Sequence, residues 1–331
     1  MTALPSIHEG VRRLTWGGPD SADPLTLLDH EWLVTNGLGG SASGTVAGVI
    51  TRRHHGLLVA ALPAPHGRTV MLSHLYERLR LPDGSLLAFG GDEREGDELE
   101  VPAMNHLVEL RLEQGLPIWR YDVQGYVLEK LLLLPHLQNT VQVTYRLLSG
   151  LGPARLELRP SVNFRPHEDS VSRSITAPYT LTVVGQRHEI AGPPDLPPLR
   201  LFTYGQGSAL TLDGGVLRDV RYRVEADRGY ESRGALWSPG YFSVDLIPAQ
   251  LVEQAHRRGA PGVTSSQMRP DVPATWENVA GQRGDVRPGR RYVRAHLRRR
   301  RAGCARTVRL LDEPRRDQVN REIPGTPECP A

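Results

Sequence analysis

The feature that most limits what this chain can become is a period of two. In Val141-Gln142-Val143-Thr144-Tyr145-Arg146-Leu147 the odd positions are apolar and the even ones polar. That spacing suits a strand with one buried face, because successive side chains point to opposite sides of a sheet. Short segments of strand character recur from Glu31 to Leu246: Glu31–Thr35, Gly44–Ile50, Gly56–Ala61, Val70–Leu79, His106–Leu112 and Ile118–Leu128. Leu131–Leu134, Thr140–Leu147, Ala154–Pro160, Tyr179–Val184, Leu199–Tyr204 and Val220–Glu225 continue the series. Turn formers such as Pro82-Asp83-Gly84 and Asp213-Gly214-Gly215 separate them. Long amphipathic helical patterns are nearly absent. Half-buried strands must cover one face against another layer, so the pattern predicts an all-β fold, a large two-sheet β-sandwich that is supersandwich-like.

After Gln250 the periodicity stops. Residues 251–331 hold 17 Lys+Arg, all of them arginine, against 9 Asp+Glu, whereas residues 1–250 hold 23 against 28. The tail includes the run Arg298-Arg299-Arg300-Arg301 and is punctuated by proline and glycine. This predicts a mostly disordered, Arg-rich segment. Its arginine bias reflects a GC-rich gene rather than a specific nucleic-acid partner, since Lys130 is the sole lysine of the chain.

Other classes fall away. Cys304 and Cys329 are the only cysteines and form no C-x-x-C pair, so neither a disulfide framework nor a structural zinc site is expected. No run approaches the ~18 apolar residues of a membrane span. The start, Met1 to Leu14, has no apolar signal core, so a cytoplasmic location is expected. Gly37-Leu38-Gly39-Gly40-Ser41-Ala42 matches a dinucleotide fingerprint in outline, but strand-like residues follow it where that fingerprint needs a helix. No cofactor is expected. The acidic stretch Asp92–Glu100 lacks apolar neighbours that would raise a carboxyl pKa and reads as a solvated loop.

Two segments stand out as candidate contact surfaces. Asn36-Gly37-Leu38-Gly39-Gly40 places three glycines between two strands, a tight loop able to bring backbone close to a ligand or a neighbouring domain. Arg52, Arg53, His54 and His55 follow. Read as a strand, they put Arg53 and His55 on one face and Arg52 and His54 on the other, so the adjacent histidines cannot share one metal. No metal site is expected.

The run Glu31-Trp32-Leu33-Val34-Thr35-Asn36-Gly37-Leu38-Gly39-Gly40, followed by Ser41-Ala42-Ser43-Gly44-Thr45 and by Thr51-Arg52-Arg53-His54-His55-Gly56-Leu57-Leu58, resembles the N-terminal domain of archaeal and bacterial glycogen debranching enzymes (amylo-α-1,6-glucosidases). Tyr230, Leu236-Trp237-Ser238-Pro239-Gly240 and the segment holding Arg165 and His167 extend the likeness. Ser41 and His54 stand where the family has tyrosine. The resemblance covers roughly residues 20–250, with an irregular tail at 251–331. It implies a glycoside hydrolase family of glycogen catabolism that acts on α-1,6 branch points. It also implies an α-glucan partner and an (α/α)6 barrel that carries the catalytic acids.

The tail does not accommodate that barrel. Twelve helices of about 11–12 residues with loops of about 4–6 need on the order of 180–200 residues, and the tail has 81. A frameshift near Gln250 is the favoured explanation, and a genuine truncated end is the alternative. The expected function is the N-terminal part of a debranching enzyme, inactive alone, or else a non-catalytic α-glucan-binding module. No catalytic residue is assigned. Asn36, Gly37, Gly39, Gly40, Arg52, Arg53, His54, His55, Arg165 and His167 are expected at a substrate surface or a domain interface.

Overall fold

A computed structural model describes residues 11–15, 24–94, 105–175, 178–250 and 271–277. The expectation of an all-β chain holds: strands dominate, and the described helices are one turn or so long, Pro24–Asp29 and Arg223–Asp227. In place of two sheets, the described strands form four, with antiparallel pairing between neighbouring strands throughout.

The largest sheet has nine strands. Across it run Val11–Thr15, Leu107–Glu113, Leu116–Val123, Tyr126–Leu133, Thr140–Ser149, Asp271–Glu277, Leu199–Thr203, Arg187–Ala191 and Thr180–Val184. One five-stranded sheet comprises Gln206–Thr211, Tyr241–Leu246, Ala154–Ser161, His74–Arg80 and Leu86–Phe89. The other comprises Arg165–Pro166, Arg68–Leu72, Gly56–Ala61, Ser41–Thr45 and Glu31–Thr35. Gly215–Arg221 and Arg233–Ser238 form a separate two-stranded ribbon.

Local chemistry explains several element ends. Leu116–Val123 turns into Tyr126–Leu133 through Gln124 and Gly125 at φ 53° and 83°, and Gln114-Gly115 does the same at 53° and 81°. Two consecutive positive φ values give the hairpin turn whose twist matches the flanking strands. The predicted strand Ile118–Leu128 is therefore two strands of one hairpin. Val70–Leu79 also divides: the chain leaves one five-stranded sheet at Leu72 and enters the other at His74, and the Ser73 N–H donates to Ser161 O at 3.0 Å. Gly44–Ile50 is a strand only to Thr45, since Val46–Gly48 turn and the Thr45 hydroxyl closes the turn on Val49. The end of Val220–Glu225 lies in the short helix Arg223–Asp227.

Within the tail, Asp271–Glu277 forms a strand between Thr140–Ser149 and Leu199–Thr203, with Val141 opposite Trp276. A strand slot between two sheet neighbours rewards a segment that supplies backbone donors and acceptors, although Pro273 brings no N–H to it. The remaining tail, with Arg298–Arg301 and both cysteines, lies outside the described residues, so its predicted disorder is neither met nor denied.

The core is shared between the sheets. Trp32 and Trp119 meet edge to face at 5.3 Å and 83°. Lys130 Nζ reaches the Glu77 carboxylate at 2.8 Å, joining the nine-stranded sheet to a five-stranded one. A second small cluster, Ile50, Val171, Val220, Tyr222 and Leu236, lies under the two-stranded ribbon. Among the described residues no helix is long and apolar enough to cross a membrane.

Candidate functional site

The small cluster positions a strongly polar surface. Ile50 immediately precedes the segment Thr51–His55, Val171 follows Arg165–Asp169, and Tyr222 precedes the helix that carries Glu225. Burying these three apolar anchors together gathers three charged segments that are far apart in sequence. Backbone bonds complete the junction, with Val224 N–H donating to Thr51 O at 3.1 Å and Arg53 N–H to Glu225 Oε1 at 3.0 Å. Glu225 is 1% exposed, which is tolerable for a carboxylate only with such partners.

Arg52–His55 form a turn, closed by His55 N–H donating to Arg52 O at 3.1 Å, and not a strand. The side-chain pairing therefore differs from the alternating reading. Arg52 and His55 both reach Glu31, while Arg53 and His54 face the opposite group. His55 Nδ1 accepts the N–H groups of Thr51 (3.1 Å) and Arg52 (3.4 Å), which leaves Nε2 as the protonated nitrogen, 3.4 Å from Glu31 Oε1. The hydrogen bond from His55, and then that from Arg52, holds the Glu31 carboxyl down at about 2 against the opposing effect of burial. This inner group locks the turn onto the first strand of its sheet.

The outer group is open to solvent. Arg53 lies over the Tyr230 ring at 5.0 Å, and Tyr230 is 55% exposed. Arg53 Nε donates to His54 Nε2 at 3.2 Å. The His54 and His167 rings meet with centroids 4.7 Å apart. His167 Nε2 lies 3.3 Å from His54 O, and its Nδ1 lies 3.2 Å from Glu168 Oε1. Arg68 also reaches Glu168, at 3.1 Å. The bond to His167 pulls the Glu168 carboxyl below its ordinary value, helped by the charges around it, and burial lowers His54, aided by His167.

Arg165 is 3% exposed and donates to the carbonyls of Pro166, Asp169 and Arg53, so it pins two segments together from beneath. The glycine loop lies elsewhere, as the hairpin between Glu31–Thr35 and Ser41–Thr45. Asn36 is fully buried there. Its Oδ1 accepts from the N–H groups of Leu38 and Gly40, both at 2.9 Å, and its amide donates to Gln138 O and Asn139 Oδ1. Gly37 and Gly39 hold φ 80° and 98°. A Cβ at Gly40 would stand 2.6 Å from Asn36 Nδ2 and 2.7 Å from Val59 O. These four residues thus form a loop whose polar groups are met within it and by the 137–139 segment, and the structure does not bring them together with the Arg–His group.

Tyr230 belongs to the family likeness, whereas Glu225, buried beneath the surface, carries no local signal of its role, since its partner Arg53 is over 170 residues away. The acidic stretch also departs from the solvated reading at its start. Glu93 is 4% exposed and paired with Arg221 and Arg223, and Asp92 lies 3.4 Å from His74 Nδ1. Arginines remote in sequence supply the compensation that a lone acidic run lacks. Residues 95–100 lie outside the described residues.

Among curated proteins, none matches the chain. Residues 30–252 match the family described as glycogen debranching enzyme N terminal, a span that takes in all four sheets except the strands Val11–Thr15 and Asp271–Glu277. The chain belongs to the glycogen debranching enzyme N-terminal family.

Proposed function

We propose that this chain is the non-catalytic N-terminal part of an amylo-α-1,6-glucosidase. In this reading it contacts a glycogen-like α-glucan and depends on an (α/α)6 barrel for hydrolysis of α-1,6 branch points. The carrying observation is the outer surface itself, where an exposed tyrosine backed by an arginine adjoins two histidines and a carboxylate. Sugar recognition uses an aromatic face for the ring and such polar groups for its hydroxyls.

The state of the site carboxylates supports inactivity of the chain alone. Glycoside hydrolysis needs a general acid whose pKa is raised by an apolar pocket. Here the site carboxylates are ion-paired, and those of Glu31 and Glu168 are pushed down. The reading sets residues 20–250 as the domain and residues 251–331 as a basic tail, and it includes a cytoplasmic location. It also takes the nine-stranded sheet and the two five-stranded sheets as opposed layers of one sandwich, supported by the Trp32–Trp119 and Lys130–Glu77 contacts.

Affinity electrophoresis through glycogen tests the binding. Retardation that weakens several-fold in Tyr230→Ala is expected, and unretarded migration of the native chain would refute it. Glucose release from a limit dextrin should appear only when a family barrel domain is supplied. Release by the chain alone would overturn the non-catalytic assignment.

A further inference from the structure

We propose that His54, His167 and Glu168 form a binding site for a zinc-class divalent transition metal. One ligand atom from each residue lies within 4.8 Å of the other two. Ligands bound tetrahedrally at about 2.0–2.2 Å stand roughly 3.3–3.6 Å apart. His167 Nδ1 and Glu168 Oε1 are already at 3.2 Å, and His54 Nδ1 is 4.0 Å from Glu168 Oε2. Glu168 is exposed, so its carboxylate is free to close the remaining gap by a rotamer adjustment.

The hydrogen-bond pattern favours this donor set. His167 Nε2–H donates to His54 O, which turns the Nδ1 lone pair toward the Glu168 carboxylate. Two electron-rich atoms that close need a positive centre between them, a proton or a metal. A histidine ligand fixed through its other nitrogen by a backbone carbonyl is the usual supporting arrangement of a metal site. His54 Nδ1 is a buried atom with no hydrogen-bond partner, and it borders the same space. Two imidazoles and one carboxylate select zinc, cobalt, nickel or copper over magnesium or calcium, and leave a fourth position for water.

Two arginines oppose the site and make the proposal specific. Arg53 Nε donates to His54 Nε2, which must instead carry a proton when Nδ1 binds metal. Loading therefore requires Arg53 to turn toward Glu225 Oε2, now 3.8 Å away. Arg68 competes for Glu168. Removal of the Arg53 charge should strengthen metal binding. The proposal does not depend on glucan binding, because its readout is the metal alone.

The test is calorimetric titration of the EDTA-stripped full chain with zinc chloride, together with the visible spectrum of the cobalt complex. One zinc of micromolar affinity is expected. It should weaken at least tenfold in both His167→Ala and Glu168→Gln, tighten in Arg53→Met, and stay unchanged in His66→Ala. Glu168→Gln is an exposed change that leaves the fold in place, so its result stands if His167→Ala misfolds. Absence of zinc binding overturns the proposal. So does binding that Glu168→Gln and His167→Ala leave unaltered, since the metal would then sit elsewhere, for example at the cysteines or histidines of the tail.

Discussion

The contact that most directly reports how the sheets are joined is the buried pair of Lys130 and Glu77. Lys130 is 8% exposed and Glu77 is 1% exposed, and their charged atoms are 2.8 Å apart. Glu77 also accepts the Tyr145 hydroxyl, and Lys130 Nζ lies 5.0 Å from the centre of the Trp119 ring. Burial, and then the nearby Glu77 carboxylate, push the Tyr145 hydroxyl well above its ordinary pKa, so it acts here only as a donor. At an effective dielectric of about 20, opposite charges at this distance attract by about 6 kcal/mol. Desolvation of the two ions offsets most of this. Lys130→Met keeps the aliphatic stem but leaves the carboxylate with Tyr145 alone, and loss of one partner of a buried pair costs about 3–5 kcal/mol. Glu77→Gln strands the ammonium at comparable cost. The double variant Glu77→Gln/Lys130→Met should lose only about 1–2 kcal/mol, since no buried charge remains unpaired. Urea denaturation at pH 7 reads each value, followed by fluorescence of Trp32 and Trp119 at the same sheet junction. A Lys130→Met cost below about 1 kcal/mol, or a double variant as unstable as the two single costs added, would refute the assignment of this pair as a coupled tie between sheets.

Acid should weaken the Arg52–His55 turn through Glu31. Its folded pKa is depressed, so its contribution is full above the ordinary value of 4.5 and is lost as pH falls through about 2. Discounted for an exposure of about a third, the contribution is about 1–2 kcal/mol. The stability gap between the native chain and Glu31→Gln should therefore narrow from pH 5 to pH 3, and a constant gap in urea midpoints would contradict this. Gly40→Ala should cost about 2–3 kcal/mol because its Cβ meets Asn36 and Val59 O. Gly67→Ala, at φ 59° in open space, should cost about 1 kcal/mol, so equal thermal shifts for the two would disprove the steric argument. Asn36→Ala removes the acceptor of two loop N–H groups and should cost about 2–4 kcal/mol in the same urea assay.

The sequence by itself determined the class of fold and the family. Alternation in Val141–Leu147 marks a half-buried strand wherever it lies, and Thr140–Ser149 forms one with Val141, Val143, Tyr145 and Leu147 all buried. The Glu31–Gly56 motif is likewise local, because a hairpin with φ > 0 glycines is encoded where it stands. Strand length, turn chemistry and apolar period all act over a few residues, which is why they were legible.

Sheet membership was not. Ser73 transfers the chain from one sheet to another inside what reads as one strand, and nothing in that segment states which neighbours compete for its edges. Nor does a tail segment announce that it fills a slot between Thr140–Ser149 and Leu199–Thr203. The site shows the same division. Arg53, His54 and His167 stood out in the sequence by residue type, but their partners were set by the joint burial of Ile50, Val171 and Tyr222. That packing brings Glu225 under Arg53 and His167 against His54, while Asn36 sits apart in its hairpin, bonded to Gln138 and Asn139. Side-chain chemistry is carried residue by residue. Which charges face one another depends on the apolar surface buried beneath them, and only the tertiary structure decides that.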